Sequence, residues 1–352
     1  METAGRHIAE CTDNVDTILE VRNLKKYFSI QTGLFRRETG YVKAVDDVSF
    51  KIGRGETLGL VGETGCGKTT LGRCVVRLYK PLAGQILYRY ENDNGQDAKI
   101  DLAELSGSEL RPFRRDFQMI FQDPYSSLNP RRSVFDTISE PIRANNLASG
   151  KELEDRVIHL TQVVGLKTHY LRRYPHAFSG GERQRIGIAR SLATNPRLIV
   201  ADEPVSALDV SIQAQILNLL GDLQEQFGLS YLFIAHDLSV VKYVSDRVAV
   251  MYVGRMVELA STEDLYGDPK HPYTEALLSA VPISDPDVVR DRIKLQGEIP
   301  DPSSPPPGCY FHPRCRYAKA VCGEEPPSWD EVEPEHFAAC HFARELNLRG
   351  IG

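Results

Sequence analysis

Eight residues restrict the fold of this chain more than any others: Gly62-Glu63-Thr64-Gly65-Cys66-Gly67-Lys68-Thr69 matches the pattern G-x4-G-K-[ST]. The pattern stands between an apolar run, Thr57 to Val61, that reads as a strand, and a stretch from Lys68 to Leu78 that reads as a helix stopped by Pro81. In that setting the glycines let the backbone turn its N–H groups inward, and the helix start adds partial positive charge. The loop is therefore suited to phosphate oxygens. Lys68 supplies a full positive charge for the outer phosphates, and the Thr69 hydroxyl is a ligand for Mg²⁺. Gly62, Glu63, Thr64, Gly65, Cys66, Gly67 and Thr70 complete the expected cradle.

A second segment supplies the carboxylates such a site needs. Leu198 to Ala201 is continuously apolar, as a strand buried on both faces is, and it ends on Asp202 and Glu203. A carboxylate at the end of a buried strand can hold the metal, and its neighbour can polarise an attacking water. Asp202 is assigned to Mg²⁺ and Glu203 to the water. Ile212, Ile216, Leu219, Leu223 and Phe227 then mark one helix face, and Tyr231 to Ala235 is another buried strand. Strand, helix and strand in that order predict a right-handed crossover in a parallel sheet, and Arg247 to Tyr252 adds a further strand. Before them, residues 123–196 read as a helical lobe, with Leu153, Val157, Leu160 and Val164 at helical spacing and Gly165 as the stop. Ile18 to Val21 and Val42 to Ile52 read as strands, with Gly53-Arg54-Gly55 as a turn.

Composition narrows the setting. Lys and Arg number 42 against 48 Asp and Glu, a net charge of −6, so no global basic field draws the chain to nucleic acid. No apolar run reaches the 18 or so residues of a spanning helix, and Met1 to Asp16 is polar, so the expectation is a soluble, unexported chain held at any membrane by other subunits. Residues 1–17 read as a flexible arm. Beyond Gly254 prolines break up the chain, including Pro269, Pro272, Pro282, Pro286, Pro300, Pro302 and Pro305 to Pro307, which predicts a small loop-rich appendix in need of a staple. Four of the seven cysteines lie there, as Cys309-x5-Cys315-x6-Cys322-x17-Cys340. In a chain read as unexported, such a cluster points to a metal site rather than to disulfides. Four thiolates can bind a 4Fe–4S cluster or Zn²⁺, and His312 and His341 lie beside them as substitutes in a zinc site.

Further motifs resemble those of the ATP-binding cassette (ABC) family. Phe178-Ser179-Gly180-Gly181-Glu182-Arg183-Gln184-Arg185 resembles the family signature, with Phe178 in place of its usual leucine and Glu182 in place of its usual glutamine. The same residues also read as a capping box, Ser179 at the N-cap and Glu182 at N3. Gln122 resembles the glutamine that touches Mg²⁺, Ser206 to Asp209 the loop that crosses a dimer interface, and His236 the switch histidine at the γ-phosphate. Phe28 lies where the family stacks an aromatic ring on adenine, with Tyr27 as the alternative. The resemblance implies a P-loop NTPase: a RecA-like parallel sheet, an antiparallel β subdomain and a helical subdomain. It also implies head-to-tail dimers in which Ser179, Gly180 and Gly181 close over ATP held by the partner.

Two segments are similar to the oligopeptide/dipeptide importer group of that family. One is Phe121 to Arg131; the other is Gly254 to Glu258, followed by His271 to Leu277, the proline run and the cysteines. The resemblance covers residues 18–342. It divides the chain into a nucleotide-binding domain, 18–253, and a C-terminal domain, 254–352. It implies ATP and Mg²⁺, a heterodimer with a second cassette, two membrane permease subunits, an external substrate-binding protein and a peripheral place at the cytoplasmic face of the membrane. Members of the group resemble iron–sulfur proteins at the cysteines, which favours the 4Fe–4S cluster over zinc. Peptide is the implied cargo, with oligosaccharide or nickel as alternatives. A soluble cassette ATPase acting on ribosomes or DNA usually carries two fused cassettes or a long coiled-coil insert, and this chain carries one cassette and no such insert.

Overall fold

The computed structural model describes residues 17–32, 37–92, 95–123, 125, 127–281 and 292–351. Apart from Thr17 the expected N-terminal arm lies outside these residues, as do Cys11, Pro124, Ser126, Pro282 and Pro286. In chain order the first strands are β1 (Thr17–Thr32), β2 (Arg37–Gly53) and β3 (Thr57–Val61), followed by helix α1 (Lys68–Val75). Next come β4 (Ala83–Glu91), β5 (Asp97–Asp101), the short α2 (Gly107–Leu110) and β6 (Phe117–Ile120). The helical lobe is α3 (Val134–Ala144), α4 (Gly150–Val163) and α5 (Gly180–Leu192). Then follow β7 (Leu198–Asp202), α6 (Val210–Phe227), β8 (Ser230–Ile234), α7 (Leu238–Val244), β9 (Arg247–Tyr252) and β10 (Arg255–Ser261). The tail contributes α8 (Thr262–Gly267), α9 (Pro272–Ser279), α10 (Ala320–Glu324), β11 (Asp330–Glu333) and β12 (His336–Ala338).

Two sheets organise these elements. The main sheet runs β11-β12-β10-β9-β3-β8-β7-β6, and its segment from β9 to β6 is parallel. The second sheet, β2-β1-β4-β5, is antiparallel, as the family resemblance implied. Strands β7 and β8 are buried along their whole length because both faces of the sheet are covered. Alternate residues of each strand enter different cores. Leu198, Val200, Leu232, Ile234, Ala249 and Met251 pack with α1 and the antiparallel sheet. Ile199, Ala201, Tyr231, Phe233, Val248 and Val250 pack with the helical lobe and α6.

Helix ends follow local chemistry. Gly165, at φ 72°, closes α4 while the Leu166 N–H reaches the Thr161 carbonyl at 2.9 Å. Helix α1 ends at Val75, three residues short of the expected Leu78. Arg77 adopts φ 56°, and the N–H groups of Arg77 and Leu78 bond back to the carbonyls of Cys74 and Arg73. The closing turn is the one glycine usually makes, formed here by an arginine.

Part of the tail, read from its prolines as a small loop-rich appendix, is paired strand. β10 pairs with β9 through a two-residue turn in which Val253 and Gly254 both have positive φ, 41° and 80°. β12 pairs with β10 in turn, so the tail continues the main sheet. The join is buried: Glu258 on β10 meets His336 Nε2 on β12 at 2.8 Å, with side chains 0% and 1% exposed. Among the described residues, no helix is long and apolar enough to cross a membrane.

Candidate nucleotide and metal sites

Parallel strands place all their carboxyl ends on one edge of the sheet, and the residues singled out from the sequence gather there. β3 leads into the glycine loop, β6 toward Gln122, β7 into Asp202 and Glu203, and β8 toward His236. Register aligns them: Leu60 stands beside Ile234, Asp202 beside Ile234, and Ile120 beside Ala201. The edge borders a pocket of about 210 Å³ lined by residues 64–70, Gln122 and Glu203, with Val42, Lys43, Ala44, Gly254 and Pro302 on the facing wall.

The loop itself is fixed by close packing. Gly67 has φ 108°, and a Cβ there would lie 1.9 Å from the carbonyl oxygen of Ala44, so only glycine fits. Gly67 is also the N-cap of α1, which has no side-chain cap and no acidic residue in its first turn. That helix start is left for an anion to satisfy. Lys68 is buried, and its Nζ donates to the carbonyls of Gly62 at 2.6 Å and Glu63 at 3.1 Å. The ammonium is thus held over the loop by acceptors that a phosphate oxygen can replace.

Behind the loop, Thr69 Oγ1 donates to Asp202 Oδ1 at 2.9 Å. Burial raises the Asp202 pKa, against the lowering effect of the Thr69 hydrogen bond, because a carboxylate in this position lacks water. A divalent cation here would relieve that penalty, and a hydroxyl facing a carboxylate is the hard oxygen donor set that Mg²⁺ takes. Glu203 is positioned from both sides. Gln122 Nε2 donates to its Oε2 at 2.9 Å, and His236 Nδ1 lies 3.2 Å from the same oxygen. Its backbone takes the left-handed conformation, φ 46°, while its N–H still bonds to the Ile234 carbonyl at 2.9 Å. That conformation costs a non-glycine residue about 1–2 kcal/mol, a strain of the kind concentrated at functional sites.

Other expected residues lie apart from the pocket lining. Ser179 forms the capping box, its Oγ accepting from the Glu182 N–H at 3.3 Å and the Glu182 carboxylate accepting from the Ser179 N–H at 2.9 Å. A Cβ on Gly181 would stand 2.5 Å from Ile212 Cγ2, so the glycine permits α6 to approach α5. Asp209 caps α6, accepting from the Ile212 N–H at 3.1 Å. Phe28 sits edge-on to Tyr79 with centroids 5.6 Å apart, across from Val42 in the β1–β2 register. The Tyr27 hydroxyl instead donates to Asp46, which also accepts from Arg255 at 2.9 Å.

Sequence reasoning missed the tail's part in this region. Pro302 accepts the Lys43 N–H at 3.1 Å, the Tyr273 hydroxyl accepts the Glu63 N–H at 2.8 Å, and Arg314 pairs with the Glu63 carboxylate at 2.6 Å. The available signal was the polar and aromatic content of His271 to Tyr273 and of Arg314 beside Cys315, but no periodicity points from there to residue 63.

Cys309, Cys315, Cys322 and Cys340 line one small cavity of about 20 Å³ together with Phe311, Phe342 and Leu346. Cys309 and Cys322 are linked by a 2.8 Å backbone hydrogen bond. His312 Nδ1 is bonded to the Cys309 carbonyl and His341 Nε2 to the Glu325 carbonyl, at 2.9 and 3.0 Å, which leaves the thiols as the cavity's soft donors. Burial raises the Cys340 pKa to about 12, and neighbouring thiols add to the rise. Such a set fits a cationic metal or cluster in donor chemistry, although among the described residues no three His, Cys, Asp or Glu side chains stand close enough together to hold a metal ion.

Residues 45–206 match the ABC transporter family, and residues 257–322 match the oligopeptide/dipeptide transporter C-terminal region. The chain is 55% identical over 332 residues to the oligopeptide transport ATP-binding protein AppF of Bacillus subtilis, covering 94% of this chain and 98% of that one. It is 47% identical to the dipeptide transport ATP-binding protein DppF of Haemophilus influenzae, covering 92% and 96%. Among solved structures, the ATP-binding cassette MJ0796 in a dimeric post-hydrolysis state with ADP and Pi superposes with a TM-score of 0.59 at 27% identity, covering 70% of this chain and 99% of that one. With the phosphate loop, the carboxylate pair and both family regions in one chain, the protein belongs to the ABC transporter family, in its oligopeptide/dipeptide group, and is an ATPase of the P-loop NTPase fold.

Proposed function

We propose that the chain powers uptake of peptides through partner membrane permeases, and that its ATP turnover runs through the pocket at the carboxyl edge of the main sheet. The observation that carries the assignment of roles is the Gln122–Glu203–His236 arrangement, two polar side chains converging on one carboxylate oxygen beside the glycine loop. In this reading Lys68 and the backbone of residues 62–70 bind the triphosphate. Thr69, Asp202 and Gln122 would hold Mg²⁺, which would supply positive charge to the phosphate oxygens. Glu203 takes the proton of the attacking water, His236 orients that carboxylate and reaches the γ-phosphate, and Phe28 stacks on adenine.

The dimer partner is a second, non-identical cassette placed head to tail. Ser179 is exposed with its side chain committed to the cap and Gly180 is half-buried, while Gly181 packs inward against α6, so the start of α5 offers the positive end of a helix at the surface through Ser179 and Gly180. Val210, 81% exposed beside the Asp209 cap, supplies an apolar surface next to it. Two permease subunits and an external binding protein complete the transporter, with this chain at the cytoplasmic face. Residues 18–253 make up the nucleotide unit and 254–352 the group's C-terminal domain. Cys309, Cys315, Cys322 and Cys340 hold a 4Fe–4S cluster, with Zn²⁺ as the alternative, and ligation orders the loops that carry them.

The deciding experiment uses the chain purified with its membrane subunits. Glu203→Gln is expected to retain ATP while hydrolysis falls about 10²-fold or more, the loss typical of removing a general base. Undiminished turnover would overturn the assignment of Glu203, and failure to co-purify with integral membrane proteins would overturn the transporter role.

A further inference from the structure

Arg314 belongs to the cysteine-bearing tail, yet its guanidinium ends on the phosphate loop. Its Nη1 donates to Glu63 Oε2 at 2.6 Å and its Nη2 to Oε1 at 3.0 Å, a two-pronged ion pair. The side chains are 6% and 25% exposed, so the pair is largely withdrawn from water. The main chain of Glu63 is held as well, since its N–H donates to the Tyr273 hydroxyl on α9 at 2.8 Å. Behind these groups Phe311 packs 5.3 Å from both Tyr252 and Tyr273, which makes the anchor a rigid aromatic layer. Tyr252 also accepts from Arg314 Nη1 at 3.3 Å.

Glu63 is the second residue of the loop, and unlike residues 64–70 it does not line the pocket. Its carboxylate points toward the tail, into the fork of Arg314. A carboxylate free to turn inward would bring negative charge beside a bound triphosphate, and like charges a few ångströms apart in a partly dry site repel strongly.

We infer that Arg314 is a positioning residue for nucleotide binding: it holds the Glu63 carboxylate outside the pocket and cancels its charge, so the tail contributes to affinity for ATP. The inference rests on the reading of the pocket as the ATP site. It assigns a function to the tail beyond that of carrying the four cysteines.

The test measures the ATP dissociation constant, KM and kcat of the complete transporter carrying full-length chain. Arg314→Ala is expected to weaken ATP binding and raise KM about tenfold, a change of ~1.4 kcal/mol, with kcat within about twofold. Arg314→Lys keeps the charge but not the fork and should lose about threefold. The double variant Arg314→Ala with Glu63→Gln removes the freed charge and should return to within about threefold of the unsubstituted affinity. A purely structural arginine would give no such recovery. Unchanged affinity in Arg314→Ala, or a loss that the double variant does not relieve, would overturn the inference. Absence of saturable ATP binding by the unsubstituted complex would overturn the reading of the pocket itself, a different result from either.

Discussion

His271 gives a test of the tail's anchoring that needs only equilibrium unfolding. The imidazole is fully buried, at the N-cap of α9, where its Nδ1 accepts the Tyr273 N–H at 3.1 Å. Burial pushes its pKa down to about 3. In the unfolded chain an ordinary histidine titrates near 6.5. A depressed folded value means that the stability tied to the neutral ring is intact above about pH 6.5 and is lost progressively as pH falls toward about 3. Between about pH 7.5 and pH 5 the unfolded ring gains a proton that the folded ring refuses, which costs the fold about 2 kcal/mol from this residue alone. His271→Asn keeps a capping side chain but cannot titrate. Its packing loss is present at both pH values and cancels. Urea unfolding of both proteins at the two pH values should show the substituted chain losing about 2 kcal/mol less than the parent on acidification. Equal losses would show that the ring is not held neutral in the fold, and the argument from its burial would fail.

Two further outcomes follow from the site. Asp202→Asn removes a carboxylate whose ionised form is disfavoured by burial, while an amide oxygen can still accept from Thr69. The nucleotide-free protein should gain about 1 kcal/mol, seen as a rise in Tm of about 2–4 °C by calorimetry, while Mg²⁺-dependent hydrolysis is lost. A fall in Tm would show that the charge is better accommodated than its burial implies. For the four thiols, anaerobically purified protein should carry iron and inorganic sulfide with visible charge-transfer absorption, and Cys315→Ser should remove both; stoichiometric zinc without iron would replace the cluster by Zn²⁺.

The parts of the fold legible in the sequence are those where one physical demand acts alone. A strand buried on both faces must be apolar throughout, so β7, β8 and β9 stood out, and with them the ends that present Asp202, Glu203 and His236. Gly165 marked the end of α4 because glycine takes a left-handed turn at least cost. Arg77 makes the same turn in α1 without advertising it, and there the expected boundary ran too far. β4 and β5 escaped notice because β4 is only partly buried and β5, though it alternates, is five residues long with only Ala98 and Ile100 apolar. The three residues of β12 form a strand because they pair with β10 on one side and β11 on the other. Of the pocket, the loop and carboxylates were readable from pattern. The Arg314–Glu63 pair was not, since it joins positions 251 residues apart and depends on how the tail folds back.

The sheet that continues from β9 through β10 into β12 also fixes where this polypeptide can be cut. Ending the chain at the turn after β9 would strip hydrogen-bond partners from a strand whose side chains, from Val248 to Tyr252, are almost wholly apolar and hidden. Such a bare margin is a template for pairing with other chains. The shortened protein would tend to aggregate rather than behave as a minimal ATPase, because the segment past residue 254 also serves as the outer guard of the sheet that carries the glycine loop.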